Sequence, residues 1–285
     1  MIKVKNLNYI YQEGMPDQRQ ALFDISLDFD DGKIYAIIGH TGSGKSTLIE
    51  HFNGLVRPTS GKIYIDNSDI TDKKTKFSDI RKSVGLVFQY PEYQLFEETV
   101  YLDIAFGPKN LGLSKEEIDT RVRYAARLLD IDERLFQKSP FELSGGQKRR
   151  VAIAGVLAMR PSVLILDEPT AGLDPRGREK ILKIIKNLHT ENPKMIIIFV
   201  SHSMEDVAKT ADEVIVLNKG RICMSGCVDE VFKHSETLQS IGLDIPEISK
   251  LMHELSVLGV PVNPDIYTID GAYDNIKKIL LETNN

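Results

Sequence analysis

The architecture of this chain follows from one glycine-rich segment, Gly39-His40-Thr41-Gly42-Ser43-Gly44-Lys45-Ser46. Its glycines and its terminal lysine and serine match the pattern of a loop that wraps nucleotide phosphates. Residues 33–39 are apolar enough for a buried strand, and residues 46–52 have the spacing of a helix. A glycine turn without a ligand is the alternative, and the flanking strand and helix count against it. The segment therefore predicts an α/β core that carries a phosphate-binding loop.

The residue types in this loop suit a nucleotide triphosphate. Glycines allow backbone N–H groups to turn toward the β- and γ-phosphates, and the N-terminus of the next helix adds its positive dipole end. Lys45 supplies a point charge, and Ser46 supplies a hydroxyl ligand for Mg²⁺. The loop thus predicts a nucleotide and Mg²⁺ as ligands.

A second apolar segment ends in two acids. Residues 163–166 have the composition of a buried strand, and Asp167 and Glu168 follow it directly. Open α/β sheets bind their ligands at the carboxyl ends of strands. We therefore predict that Asp167 holds Mg²⁺, directly or through water, and that Glu168 polarises the attacking water. The alternative is a structural role, in which the two acids merely end a strand before a proline turn. The phosphate loop upstream counts against this alternative.

Two more polar residues leave predicted core strands. Gln89 ends the strand predicted at 83–88, where its amide can reach Mg²⁺ or water. His202 follows the strand predicted at 195–200, where a neutral imidazole can bond the γ-phosphate and orient the water. A structural role is the alternative for both. The predicted catalytic residues are Glu168, His202 and Gln89, and the predicted metal ligands are Ser46, Gln89 and Asp167.

The spacing of apolar residues divides the rest of the chain into regions with strand-like or helical patterns. Strand-like runs at 2–9, 21–29, 61–66 and 83–88 predict an antiparallel opening up to about residue 90. Helical spacing from about 97 to 159, with a capping box from Ser114 to Glu117, predicts an inserted helical subdomain. Strands and helices then alternate to residue 218, which predicts a parallel sheet covered by helices. Beyond 235, residues 246–258 again have helical spacing.

A second glycine-rich turn is Leu143-Ser144-Gly145-Gly146-Gln147. Ser144 would serve as a helix N-cap, which is a sound structural explanation but does not account for two adjacent glycines. The chain already has a loop for phosphates. This turn therefore indicates a protein that handles its nucleotide as one half of a pair.

In their order and spacing these motifs resemble the nucleotide-binding domain of ABC transporters, over residues 1 to about 235. The resemblance implies an α/β P-loop NTPase core with an antiparallel β subdomain, an inserted helical subdomain and a small helical C-terminal extension. It also implies that the nucleotide is ATP, closed between two subunits by the turn at 143–147, and that His202 is the switch histidine. The implied ATP-binding residues are Tyr11 (with Tyr9 as the alternative for stacking on adenine), Gly39, His40, Thr41, Gly42, Ser43, Gly44, Lys45, Ser46, Thr47, Ser144, Gly145, Gly146, Gln147 and Asp174.

A narrower resemblance is carried by residues 88–96, 147–159 and 241–258, which are similar to the ATPase subunits of energy-coupling factor (ECF) transporters. Residues 168–174 are similar to the second of the two paralogous ATPases, often called A-prime. The family imports vitamins and transition-metal ions. The resemblance implies a transport ATPase on the cytoplasmic side of the cell membrane, paired with a paralogous ATPase or with a second copy of itself. It also implies a transmembrane T subunit, substrate-binding S subunits, and a dimerisation role for residues 236–285.

Composition sets the alternatives. The chain has 285 residues, 42% of them hydrophobic, and a formal net charge of -5, which gives no electrostatic reason to expect nucleic acid as a partner. The basic runs at 73–76 and 148–150 are expected to be solvated faces. Apolar runs have strand length, so we expect contact with the membrane only through partners. The competing functions are a soluble ABC ATPase that acts on ribosomes or DNA, and a nucleotide-gated regulatory module with little hydrolysis.

Overall fold

Two β-sheets and a set of helices make up the protein in this computed structural model, which describes residues 1–72 and 74–283. Lys73, in the basic run at 73–76, lies outside the described residues, as do the last two residues of the predicted extension at 236–285. The chain forms ten strands and eleven α-helices within the described ranges.

The smaller sheet is antiparallel, with the strand order β2-β1-β4-β5. Apolar side chains such as Ile2 and Val4 alternate with more exposed ones and enter the core, as expected for a sheet with one solvent-exposed face. The antiparallel opening is therefore confirmed for the first three predicted runs. The strands are β1 (Ile2–Tyr11), β2 (Arg19–Phe29), β4 (Ser60–Ile65) and β5 (Ser68–Asp69).

The larger sheet has the order β10-β9-β3-β8-β7-β6. Its strands are β3 (Ile34–Ile38), β6 (Val84–Val87), β7 (Val163–Asp167), β8 (Ile196–Val200), β9 (Glu213–Asn218) and β10 (Arg221–Cys227). All pairings are parallel except that of β10 with β9, so the predicted parallel sheet is confirmed. Placing residues 83–88 in the antiparallel opening was wrong. That strand pairs with β7, and its four buried residues form the continuous run typical of a parallel sheet.

Helices cover the larger sheet and extend beyond it. The region from about 97 to 159, predicted as an inserted subdomain, contains three of them, and the predicted capping box from Ser114 to Glu117 is present. The helices are α1 (Lys45–Phe52), α2 (Phe77–Ser83), α3 (Val100–Asn110), α4 (Lys115–Leu128), α5 (Gly145–Leu157), α6 (Pro175–Glu191), α7 (Met204–Thr210), α8 (Val228–Lys233), α9 (Ser235–Ser240), α10 (Glu247–Val257) and α11 (Ile269–Thr283).

The C-terminal residues pack in two ways. Leu238, Leu243 and Ile245 join the large core that contains the parallel sheet. Helices α10 and α11 instead pack against each other around a small separate cluster centred on Met252 and Ala272. The last two helices thus have their own apolar contacts, while the segment that leads to them is fixed to the main body.

Candidate active site

The phosphate loop connects β3 to α1 at the carboxyl end of the parallel sheet. Gly39, Gly42 and Gly44 have φ angles of 153°, 79° and 103°, which favour glycine. A Cβ at Gly39 would lie 2.3 Å from the carbonyl oxygen of Leu217, so this position excludes any side chain. The backbone N–H groups of the first turn of α1 lie next to this loop, where they can bind an anion.

Lys45 is held within the loop. Its side chain is buried, and Nζ donates hydrogen bonds to the carbonyl oxygens of Gly39 (2.6 Å) and His40 (2.9 Å). Burial lowers the pKa of Lys45, and the carboxylates of Glu168 and Asp167 oppose this shift. The ammonium group is thus positioned by the loop that it serves.

Ser46 and Asp167 face each other across the loop. Ser46 Oγ donates to Asp167 Oδ2 at 3.3 Å. Burial and the nearby charge of Glu168 raise the pKa of Asp167. A hydroxyl and a carboxylate oxygen are ligands that Mg²⁺ accepts, and a divalent cation would relieve the crowding of two carboxylates. The residues present therefore fit this metal.

Glu168 is the centre of a polar group drawn from three neighbouring strand ends. Gln89 follows β6, Glu168 follows β7 and His202 follows β8. Gln89 Nε2 donates to Glu168 Oε2 at 2.7 Å, and His202 Nε2 lies 2.8 Å from Glu168 Oε1. Both oxygens of the carboxylate are therefore held by side chains of the same chain.

The backbone at Glu168 is strained. Its φ of 48° lies in the left-handed region, which costs a non-glycine residue about 1 kcal/mol or more. Its N–H donates to the carbonyl oxygen of Val200, and its own carbonyl accepts from Ala171, both at 3.1 Å. This turn aims the carboxylate toward the phosphate loop.

One cavity of about 460 Å³ joins these groups. It brings together the phosphate loop and the three side chains from the sheet edge, as the sequence predicted they would share one edge. Asp167 joins this site through Ser46. The cavity is lined by Thr41, Gly42, Gly44, Lys45, Ser46, Thr47, Gln89, Glu168 and His202.

Two tyrosines lie near the loop, and they are placed differently. The hydroxyl of Tyr11 is 2.8 Å from Thr47 Oγ1, and its ring is 39% exposed. Tyr9 packs on the buried core and meets the edge of His51 with ring centroids 4.8 Å apart. Tyr11 thus has the more accessible ring beside the loop, and its contact with adenine stays a prediction.

The glycine turn at Ser144 forms a helix N-cap. Ser144 Oγ accepts from the N–H of Gln147, and the Gln147 side chain accepts from the N–H of Ser144 at 2.9 Å, which completes a capping box. Asp174 caps α6 in a similar way through Gly177. Among the described residues, the turn at 144–147 and Asp174 lie outside the lining of the phosphate cavity. The structure does not bring these predicted ATP ligands together with the others in one chain.

The two glycines of this turn have open space beside them. Within the described ranges, and apart from its chain neighbours and the backbone of its own helix, a Cβ at Gly145 would meet no atom within 4 Å, and one at Gly146 would meet only the end of Arg150 at 4.0 Å. Packing inside the chain therefore gives no reason for glycine here.

Sequence reasoning missed one residue next to this site. Arg149 was expected on a solvated face, which is wrong, since it is only 1% exposed. The available signal was helical spacing, because Arg149, Ile153 and Leu157 lie four residues apart and are all buried on α5. Its contacts join Glu92 to the carbonyl oxygens of Pro169 and Ala171.

A family model described as ABC transporter matches residues 22–171. The chain is 59% identical to a protein named energy-coupling factor transporter ATP-binding protein EcfA2 from Caldanaerobacter subterraneus subsp. tengcongensis, over 100% of this chain and 99% of the relative. A protein of the same name from Clostridium acetobutylicum is 57% identical, over 98% of both chains.

Solved structures are also similar. The cbiO1 protein of Clostridium perfringens, described as part of the ABC transporter complex cbiONQ, is 43% identical with a TM-score of 0.75, over 88% of this chain and 98% of that one. A dimeric ATP-binding cassette solved in a post-hydrolysis state with ADP and phosphate is 31% identical with a TM-score of 0.70, over 80% of this chain and 99% of that one. These likenesses establish the predicted α/β P-loop fold.

Proposed function

This chain belongs to the ABC transporter family, within its ECF-type ATP-binding subunits, and from that premise we propose how its residues act. It is an ATPase that energises an ECF transporter. The observation that carries the proposed mechanism is the position of Glu168, held by Gln89 and His202 at the mouth of the cavity that contains Lys45 and Ser46.

The phosphate loop binds the triphosphate of ATP. The N–H groups of residues 41–46 and the Lys45 ammonium contact the β- and γ-phosphates, and Tyr11 stacks on adenine. Ser46, Gln89 and Asp167 would hold Mg²⁺, Asp167 either directly or through water. When bound, the metal would neutralise charge on the phosphate oxygens.

Glu168 orients the attacking water and accepts its proton. Gln89 and His202 each contact one oxygen of this carboxylate, at 2.7 and 2.8 Å, so an attacking water must share Glu168 with them. We infer that Gln89 turns toward the metal and His202 toward the γ-phosphate when ATP and a second subunit close the site. The exchange of partners at Glu168 then precedes hydrolysis.

The second subunit provides Ser144, Gly145 and Gly146. The open space beside both glycines supports this role, as does their separation from the phosphate cavity of the same chain. We propose a paralogous ATPase as the partner, with a homodimer as the alternative. Residues 236–285 would help to hold the pair, and the exposed side chains of Val257, Leu258 and Tyr273 are available for such contacts.

An apolar groove supports docking of a transmembrane T subunit. The groove encloses about 510 Å³ between α3, α5 and the turn after Gln89, and Phe96 and Phe106 line it with 60% and 40% of their surfaces exposed. We propose that a short helix of the T subunit occupies it. No helix in residues 1–72 and 74–283 is long and apolar enough to cross a membrane. A location on the cytoplasmic side of the cell membrane would therefore depend on this partner, while S subunits would deliver a vitamin or a transition-metal ion.

Purification of the tagged chain in mild detergent tests this function. We expect a second ATPase, a transmembrane subunit and small substrate-binding membrane proteins to copurify, and the reconstituted assembly to take up substrate only with ATP. Copurification with ribosomes or DNA at physiological salt, without a membrane subunit, would contradict the proposal and favour a soluble role.

A further inference from the structure

Arg149 is the largest side chain that the fold buries almost completely. Its guanidinium forms a bidentate pair with Glu92, through Nε to Oε2 at 3.0 Å and Nη2 to Oε1 at 2.8 Å. Its Nη1 donates to the carbonyl oxygens of Pro169 at 3.1 Å and Ala171 at 2.7 Å. One cation therefore connects helix α5 to two other segments.

Both segments lead directly to catalytic side chains. Glu92 lies in the 3-10 turn Pro91–Gln94, three residues after Gln89. Pro169 is the residue that follows Glu168. Helix α5 begins at the turn that contains Ser144. Arg149 thus lies where the glycine turn, the loop after Gln89 and the strand end at Glu168 converge.

The backbone of these two segments is held away from its local preference. Tyr90 has a φ of 56° and Glu168 a φ of 48°, both in the left-handed region. The Arg149 guanidinium lies 5.9 Å from the centre of the Tyr90 ring and binds Pro169 next to Glu168. Strained residues keep such angles only where surrounding contacts fix them. Arg149 supplies contacts at both places.

A buried guanidinium also passes the movement of one of its hydrogen-bond partners on to the others. It stays buried only while its N–H groups keep their acceptors, and its planar fork fixes the direction of each bond. Glu92 is followed closely by Leu95 and Phe96, which line the apolar groove. A shift of this turn must therefore move Arg149 or break a buried ion pair.

We propose that Arg149 is a positioning residue that couples the groove to hydrolysis. It fixes Gln89 and Glu168 relative to each other, and a displacement of the turn Pro91–Gln94 reaches Glu168 through the contacts of Glu92, Arg149 and Pro169. The inference rests on the proposed function, which puts the T subunit in that groove.

The variant Glu92→Gln in the reconstituted transporter tests the coupling. We expect KM for ATP and ATP affinity to stay within about twofold, and kcat to fall about tenfold, within the range for residues that carry coupling without touching a ligand. Glu92→Asp keeps the charge and should restore most of the rate. Glu116→Gln, a matched change at an exposed position on α4, should match the wild type.

Arg149→Lys is the second variant, because lysine keeps the charge but lacks the fork. It should lower kcat without changing KM. Normal kcat in a complex that contains Glu92→Gln would overturn the inference. So would a joint loss of thermal stability, ATP affinity and kcat that Glu92→Asp does not restore, since that would mean a structural role. If the wild-type chain assembles with no transmembrane subunit, the proposed function itself fails.

Discussion

The two glycine-rich turns, one before α1 and one before α5, use glycine for different reasons. At Gly39 the chain's own backbone excludes a side chain, because the carbonyl oxygen of Leu217 would lie 2.3 Å from its Cβ. At Gly145, by contrast, no described atom outside the neighbouring residues and the backbone of its own helix lies within 4 Å of the corresponding position. The first turn is shaped by internal packing, and the second is an open surface. The comparison teaches that packing within the chain fixes the phosphate loop, whereas the second turn leaves room for the second subunit that we propose.

The variant Glu168→Gln should have the largest effect on hydrolysis. It tests whether ATP binding at the first turn and closure by the second turn persist when hydrolysis is lost. The amide cannot accept the proton of water, so we expect kcat to fall by about 10²- to 10⁴-fold. ATP binding to the loop, and closure by the other turn, should persist. Steady-state hydrolysis, equilibrium ATP binding and light scattering with ATP measure these properties. Wild-type turnover would remove Glu168 from its proposed role.

Gly39→Ala should damage the first turn. The added methyl group must displace a backbone carbonyl, and overpacking of this kind costs about 1–3 kcal/mol. We expect a lower free energy of unfolding in urea together with loss of ATP binding. A variant as stable as the wild type would show that the loop has more room than the distance to Leu217 implies.

Gly145→Ala makes the same chemical change in the second turn and should have a different result. The chain should keep its stability to within about 1 kcal/mol, since alanine is the better helix former. ATP affinity of the single subunit should not change. Hydrolysis in the dimer should fall about tenfold, because the added methyl group would weaken closure of the site. A tenfold change corresponds to roughly 1.4 kcal/mol. If this variant unfolds as readily as Gly39→Ala, the contrast between the two turns is wrong.

Asp167→Asn should affect the fold in the direction opposite to Gly39→Ala, by stabilising it. The pKa of Asp167 is raised by burial and by Glu168, so the folded state resists its ionisation. This penalty is absent below the ordinary aspartate pKa of 3.8 and is complete once the pH exceeds the raised value. The variant should therefore melt at a higher temperature than the wild type at neutral pH, with no advantage in acid, and should bind ATP without a response to Mg²⁺. Thermal scans at several pH values, with and without Mg²⁺, measure both effects.

Most of the fold could be predicted because its signals are local. The phosphate loop and the apolar strands that end in Asp167 and Val200 have patterns visible within a few residues. Strand β10 was missed because it lies at a sheet edge, where three of its seven residues are exposed and none is buried, which leaves no continuous apolar run. Helix α2 was missed because the polar stretch before Ser83 buries only Ile80.

The candidate site was predictable for the same reason, up to a limit. Parallel strands end at one edge, so Gln89, Glu168 and His202 were expected to share it. The amino-acid sequence could not predict that Arg149 pairs with Glu92, 57 residues away, because this pairing depends on how α5 packs. The bonds from Gln89 and His202 to Glu168 were also unforeseen, since their partners were expected to be metal and nucleotide.

The contacts from Gln89 and His202 to the Glu168 carboxylate have a consequence for the use of ATP in the cell. A subunit whose catalytic base is always available would consume ATP without moving cargo. Since both carboxylate oxygens of Glu168 accept hydrogen bonds, at 2.7 and 2.8 Å, we expect the isolated chain to hydrolyse ATP more slowly than the assembled transporter. Hydrolysis would then accelerate when assembly moves Gln89 and His202 away from Glu168.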